Sequence, residues 1–393
     1  MIPLETAWAI VDEKIKPALP GETIRVRDGL GRFLAAPQRS RLDLPPFDKS
    51  AMDGYAVPEG DERERYRVAG IVPAGEAGFD RIEPGTAVKV MTGAPVPAGT
   101  GRVIKVEEAV EEDGYVKFIE PSASKNIRRR AEDVTVGDTV LDAGVKIGPL
   151  EIANLISCGI TEVEVIRRLR VVVIATGDEI VDSFSDLRPG KIMNSNGPLL
   201  SALAAHHGFE ITGEELVGDD LARLTESIQR GLDRSDIVML SGGVSEGDFD
   251  YVPEAMRRCG LEIHFDRVAT KPGKPVTFGS GKGGIFFGLP GNPVSTYVSF
   301  HTFVLRAAAR LAGAQYELKQ FKIRLARDLK RKPDDRTALV PCRITADGFV
   351  EPVTYHGSAH LAAVLRAEGF MTIPKNTPEL PAQTEVTMTI FPD

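Results

Sequence analysis

Hydrophobic positions in the middle of the chain fall into short continuous runs. Val171-Val-Val-Ile-Ala175 and Ile237-Val-Met-Leu240 are two of them, Gly284-Ile-Phe-Phe-Gly288 is a third, and residues 211–217 read as another strand. Runs this short and this rich in branched residues are strands buried on both faces, which need helices packed on either side. Helices are predicted over 198–207, 219–232, 251–259 and 294–312. The alternation predicts an open, mostly parallel α/β sheet. Ligands of such sheets sit in the crevice beyond the carboxyl ends of the strands.

Elsewhere the period changes. Leu4, Ala7, Trp8, Val11 and Ile15 have helical spacing, and Pro17 ends that segment. Residues 66–119 alternate in short stretches broken by Gly and Pro, which predicts a small β domain. Residues 150–158 read as a helix. Beyond about residue 314, strands are predicted over 321–329, 337–345, 349–353 and 385–391, with a helix over 360–368.

A chain of 393 residues holds more than one domain. Its net charge of −8 argues against a general nucleic-acid binder. No apolar run reaches the roughly 18 residues that would suggest a membrane span. Glu5, Asp12 and Glu13 are wrong for a secretory signal. Cys158, Cys259 and Cys342 have neither zinc nor disulfide spacing, as expected of reduced cysteines in a cytoplasmic protein.

The chemistry gathers where the strands end. Ser241-Gly-Gly-Val-Ser245 offers glycines and hydroxyls just before a helix, a pattern that suits a phosphate and fits a plain strand-to-helix turn as well. Asp248 and Asp250 follow, Asp219 and Asp220 close another strand, and Asp178 and Glu179 close the first. Carboxylates beside a phosphate call for a cation between them, and Mg²⁺ is bound in this way. An aspartate at 219 or 220 equally suits a helix cap. Lys271 and Lys274, stiffened by Pro272, suit an oxyanion. Both the P-loop and the dinucleotide fingerprints are absent. Residues 42–57 form an ordered loop in which Asp53, before Gly54, also reads as a turn residue. Asn126-Ile-Arg-Arg-Arg130-Ala-Glu-Asp133 is a charge cluster, either solvated or facing an anion or a partner subunit.

Six stretches in order, Ser50-Ala-Met-Asp-Gly-Tyr-Ala56, Met91-Thr-Gly-Ala-Pro95, Thr176-Gly-Asp-Glu179, Ser241-Gly-Gly-Val-Ser245, Lys271-Pro-Gly-Lys-Pro275 and Leu289-Pro-Gly-Asn-Pro-Val-Ser295, resemble the molybdopterin molybdenumtransferase family (MoeA and the gephyrin E domain). Each motif alone is weak and the ordered set is specific. The resemblance implies four parts: an elongated N-terminal domain (1–45 plus 126–168), an inserted β domain (46–125), an adenylyltransferase-like α/β domain that binds molybdopterin (169–314), and a C-terminal β barrel (315–393). It implies a homodimer with its cleft between the α/β domain of one subunit and N-terminal parts of the other. The implied reaction takes adenylylated molybdopterin (molybdopterin-AMP) and molybdate, uses Mg²⁺ and releases AMP. Molybdopterin adenylyltransferase and molybdoenzyme acceptors are the implied partners.

Residue by residue, the resemblance implies Mg²⁺ on Asp219 (or Asp220) and Asp250. The cofactor would lie on Thr176, Gly177, Asp178, Ser241, Gly242, Gly243, Ser245, Pro290, Gly291 and Asn292. Lys271, Lys274, Arg336 and Ser358 would hold molybdate, and Asp53, Thr92 and Glu179 match functional positions. Glu246 and Ala131 depart from the family pattern, the latter where Gly is common. Two rival readings are an adenylyltransferase, which would consume ATP, and a catalytically silent dimeric scaffold.

Overall fold

A computed structural model describes residues 1–244 and 251–391. The chain forms two compact units, one of Met1–Glu22, Gly31–Phe33 and Val165–Asp393, the other of Thr23–Leu30 and Leu34–Glu164.

The first unit opens with helix α1 (Leu4–Lys14) and then builds the α/β core. In chain order come β1 (Arg170–Thr176), α2 (Asn196–His206), β2 (Glu210–Val217), α3 (Leu221–Arg234), β3 (Ile237–Ser241), α4 (Val252–Arg258), β4 (Glu262–Phe265), β5 (Thr277–Gly281), β6 (Gly284–Leu289), α5 (Pro293–Ser299) and α6 (Leu305–Leu311). The strand order across the sheet is β2-β1-β3-β6-β5-β4. β2, β1, β3 and β6 run parallel, and β5 and β4 add an antiparallel edge.

Alternate side chains of β1 enter different cores. Val171 and Val173 pack with Leu200, Met239, Phe287, Phe300 and the inner face of α1, Ala7 and Val11. Val172 and Ile174 pack with Leu224, Ile228, Leu240 and Met256. A continuous apolar run is therefore what this strand needs, and each such side chain buried contributes about 1.5–3 kcal/mol. The crossover order reverses at β1, whose neighbours are β2 on one side and β3 on the other, so their terminal loops converge beyond Thr176, Val217 and Ser241.

Three expectations need correction. β5 lies outside the expected strands, because it carries two glycines. The helix expected over 294–312 is divided by a π-helical turn, Phe300–Val304. Its wider winding accompanies burial of five consecutive side chains, beyond the reach of one regular helical stripe. The helix expected over 360–368 is one turn, Leu361–Val364, and the chain then enters a strand at Gly369.

The terminal region is a sheet of β7 (Lys319–Arg324), β8 (Thr337–Ile344), β9 (Val350–Pro352), β10 (Gly369–Ile373) and β11 (Glu385–Ile390), in the order β8-β10-β11-β7 with β9 on β8. One further strand comes from the α/β region. Thr270–Lys271 pairs in parallel with Thr337 and Ala338 at the free edge of β8.

The second unit is centred on a six-stranded sheet ordered Thr100–Lys105, Gly54–Pro58, Thr86–Val90, Arg65–Val72, Tyr115–Phe118 and Ala109–Glu112. Both faces are covered, one around Ala56, Val88 and Val103, the other around Tyr55, Tyr66 and Ile104. The basic cluster is paired: Arg129 binds Asp48 at 2.5 Å and Arg130 binds Asp43 at 2.6 Å. Ala131 stands at φ +59°, the left-handed region that glycine occupies without strain.

Candidate active site

One cavity of about 630 Å³ collects the loops at the carboxyl ends of β3 and β6 together with the terminal sheet. Gly242 and Gly243 form one wall, and Pro290, Gly291 and Asn292 another. Glu179 reaches it from the end of β1. Lys271 and Lys274 enter from the loop after β4, and Arg336 and Ser358 from the terminal region. Ten residues singled out in the sequence thus meet at one hollow, though they span 180 positions of chain.

Local rules explain the walls. Gly242 has φ +101°, and a Cβ there would sit 2.1 Å from the Thr176 carbonyl oxygen. β3 and β1 approach too closely at their ends for any side chain. Ser241, fully buried, donates its hydroxyl to Pro290 O at 3.2 Å. Asn196, at the first turn of α2, donates from Nδ2 to Ser241 Oγ at 2.8 Å and to Gly291 O at 2.7 Å. This amide, which no motif signalled, ties the two glycine-bearing loops together. Its Oδ1 is buried with no partner among the described residues.

Beyond β1 and β2 the acidic loops cap one another. Asp178 N–H donates to Asp219 Oδ2 at 3.2 Å, and Asp219 N–H donates to Asp178 Oδ1 at 3.0 Å. Thr176 Oγ1 donates to Asp219 Oδ1 at 3.4 Å. Gly177 lies between them at φ +146°. Asp220 instead accepts from Arg223 N–H at 2.8 Å and caps α3, where its carboxylate meets the positive end of the helix. The two neighbouring aspartates are thereby separated: Asp220 is engaged in the helix, and Asp219 is turned to the loop of Thr176 and Asp178. Ser245 and Asp250, with Glu246 and Asp248, lie outside the described residues.

The cationic side of the cavity is built by strand pairing. Thr270 and Lys271 lie beside Thr337 and Ala338, which sets Lys271 next to residues 334–336. Lys271 Nζ donates to Asp334 Oδ2 at 2.8 Å. Arg336 grips the same carboxylate through Nε at 2.8 Å and Nη2 at 2.9 Å. These bonds, the Arg336 fork first, hold the Asp334 carboxyl far below its usual range and raise Arg336. Ser358 accepts Val294 N–H through its carbonyl at 3.1 Å, tying that loop to the start of α5. Tyr355, also on the wall, has its phenol pushed up to about 12 by burial and stays neutral.

Asp53 and Thr92 belong to the second unit and meet each other. Asp53 Oδ1 accepts from Thr92 N–H at 2.6 Å and from Thr92 Oγ1 at 2.7 Å. These two bonds lower the Asp53 carboxyl.

Among the described residues no three His, Cys, Asp or Glu side chains are close enough together to hold a metal ion. Asp178 and Asp219 nevertheless offer hard oxygen donors, and Mg²⁺ is commonly held by one or two carboxylates with substrate phosphate completing the shell. The donor set fits Mg²⁺ carried in with a phosphorylated ligand.

Family models match almost the whole chain: the MoeA N-terminal region (domains I and II) over residues 2–159, a probable molybdopterin binding domain over 172–310, and the MoeA C-terminal region (domain IV) over 322–391. Molybdopterin molybdenumtransferase of Staphylococcus epidermidis is 34% identical over 365 residues, covering 90% of this chain and 87% of its own. The Staphylococcus aureus MRSA252 protein of the same name is 34% identical over 367 residues, covering 91% and 88%. The crystal structure of a molybdopterin biosynthesis MoeA protein from Pyrococcus horikoshii OT3 superposes with a TM-score of 0.85 at 28% identity, covering 100% of both chains.

Proposed function

The chain belongs to the MoeA family and acts in molybdenum cofactor biosynthesis as a molybdenumtransferase, and from that premise we propose how its cavity divides the work. Lys271, Lys274 and Arg336, with Ser358, bind molybdate. Gly242, Gly243, Pro290, Gly291 and Asn292, held by Ser241, cradle adenylylated molybdopterin, whose phosphates lie toward Thr176, Gly177 and Asp178. Cations fixed on one wall and unobstructed backbone on the other bring an oxyanion against the dithiolene sulfurs by position and charge alone, with no covalent protein intermediate. The observation that carries this reading is the meeting of three cations and the glycine walls in one hollow of about 630 Å³.

Asp219, with Asp178, would hold Mg²⁺, which when bound offsets negative charge on the leaving phosphate. Water cleaves the phosphoanhydride, one phosphate leaves as AMP and the other stays on the pterin, and molybdate gives up oxo groups as water while its molybdenum bonds to the two dithiolene sulfurs. Glu179 orients the substrate at the cavity rim. The enzyme works as a cytoplasmic homodimer, in which the Asp53–Thr92 pair of one copy serves the cavity of the other. It receives its substrate from a molybdopterin adenylyltransferase and passes the product to molybdoenzymes.

The test is turnover of adenylylated molybdopterin with molybdate, with and without Mg²⁺. AMP release that needs both, and a KM for molybdate that rises at least tenfold in Lys271→Ala and Arg336→Ala, is the expected result. Consumption of ATP, or unchanged turnover in both variants, would reject it. At molybdate concentrations well below the raised KM, mixing Asp53→Asn with Arg336→Ala should give more turnover than either variant alone.

A further inference from the structure

Lys271 and Arg336 are long, flexible side chains on separate parts of the chain, yet they arrive at the cavity as one unit. Asp334 is what joins them. Its side chain is 10% exposed, whereas that of Lys271 is 55% exposed. Both carboxylate oxygens are filled: Oδ1 accepts from the backbone N–H and Nε of Arg336, and Oδ2 from Nη2 of Arg336 and Nζ of Lys271. Its own backbone is anchored, since Asn376 N–H donates to Asp334 O at 2.7 Å. Neighbouring Asp335 comes only to 3.9 Å of Arg336 and is 77% exposed, so it adds charge and no orientation.

A planar guanidinium gripped by both carboxylate oxygens has its direction set. An ammonium on the same carboxylate is then held at a fixed offset from it. We propose that Asp334 is a positioning residue for the oxyanion: it orders Lys271 and Arg336 before molybdate arrives, so binding need not freeze two mobile side chains. This rests on the reading that these cations bind molybdate. Prior ordering of two such side chains is worth on the order of tenfold in affinity.

The experiment compares Asp334→Ala and the near-isosteric Asp334→Asn with the intact protein. Calorimetric titration with sodium molybdate gives direct affinity, and turnover gives both Michaelis constants. In the alanine variant the Kd and KM for molybdate should rise about tenfold. The KM for adenylylated molybdopterin and kcat should stay within twofold. Asparagine, which keeps one acceptor oxygen and loses the charge, should fall between, at about threefold. Three outcomes overturn the inference: molybdate constants that do not move, molybdate binding that tightens, or a joint loss of kcat, both KM values and melting temperature. The last would make Asp334 a staple of the fold. If Lys271→Ala and Arg336→Ala also leave the molybdate titration unchanged, the oxyanion site itself is misassigned. If they weaken it and the Asp334 variants do not, the positioning role alone falls.

Discussion

Gly242→Ala adds one methyl group where the ends of β3 and β1 come together. A Cβ at 242 would lie 2.1 Å from the Thr176 carbonyl oxygen, more than 1 Å inside the ~3.5 Å at which non-bonded heavy atoms sit comfortably. The obstacle is backbone at the end of a doubly buried strand, so it cannot swing aside as a side chain would. Holding alanine near φ +101° adds about 1–3 kcal/mol of strain, and relieving the overlap adds about 1–3 kcal/mol more. A total of about 2–6 kcal/mol follows. At roughly 2–4 °C per kcal/mol for a unit of this size, the melting temperature should fall by about 10 °C. Gly291→Ala is the matched control on the facing wall. Among the described residues its Cβ would meet nothing nearer than Gly242 Cα at 3.9 Å, and its effect should stay within about 0.5 kcal/mol. Scanning calorimetry of both variants, with AMP release measured alongside, decides the matter. If Gly242→Ala melts within about 2 °C of the intact protein, close approach is not what requires glycine there.

Asp220→Ala removes the cap of α3 and should lower stability by about 1 kcal/mol while leaving turnover within twofold; Asp219→Ala should do the reverse, and calorimetry with AMP release separates them. Ala131→Gly relieves a φ of +59° and should stabilise the second unit by about 0.5–1 kcal/mol, read from its denaturant midpoint. Burial pushes the Asp236 carboxyl up, but the Arg167 fork at 2.8 and 2.6 Å and the Arg170 N–H at 2.7 Å outweigh it, so its folded pKa is lowered. A lowered carboxylate contributes stability that is complete above its unfolded pKa, about 3.9, and is lost as pH falls below that. Asp236→Asn should therefore cost about 1–2 kcal/mol at pH 7 and show a flatter decline between pH 4 and pH 2 in urea titrations.

The parallel part of the sheet was legible because its strands are buried on both faces. Val171 to Ala175 and Ile237 to Leu240 have no polar side to confuse the period. Most of the cavity followed from them, since Gly242, Lys274 and Asn292 need only the rule that ligands gather at strand ends. What stayed hidden depends on pairing across long separations. Gly369–Ile373 begins with glycine after Arg366-Ala-Glu368, residues that favour a helix, and becomes a strand because β8 and β11 hold it on both sides. Asn196 stands in no motif, and its role comes from loops 45 and 95 positions away. Asp334 stands in no motif either, and its role appears only when Thr270 and Lys271 are laid beside β8. Which of Asp219 and Asp220 caps α3 turned on which of them reaches Arg223 N–H, a matter of local backbone geometry that composition does not encode.

Two paired residues at the edge of β8 also set an order of assembly. The glycine walls are complete once residue 292 has been made, but the partner of Lys271 is some sixty positions downstream, so a ribosome finishes the cradle well before the cationic wall. A nascent chain stopped near residue 314 would carry the glycine walls and both lysines without Arg336. The final eighty residues are what bring Arg336 and Ser358 to the cavity, and their sheet also covers Val294 and Val298 of α5.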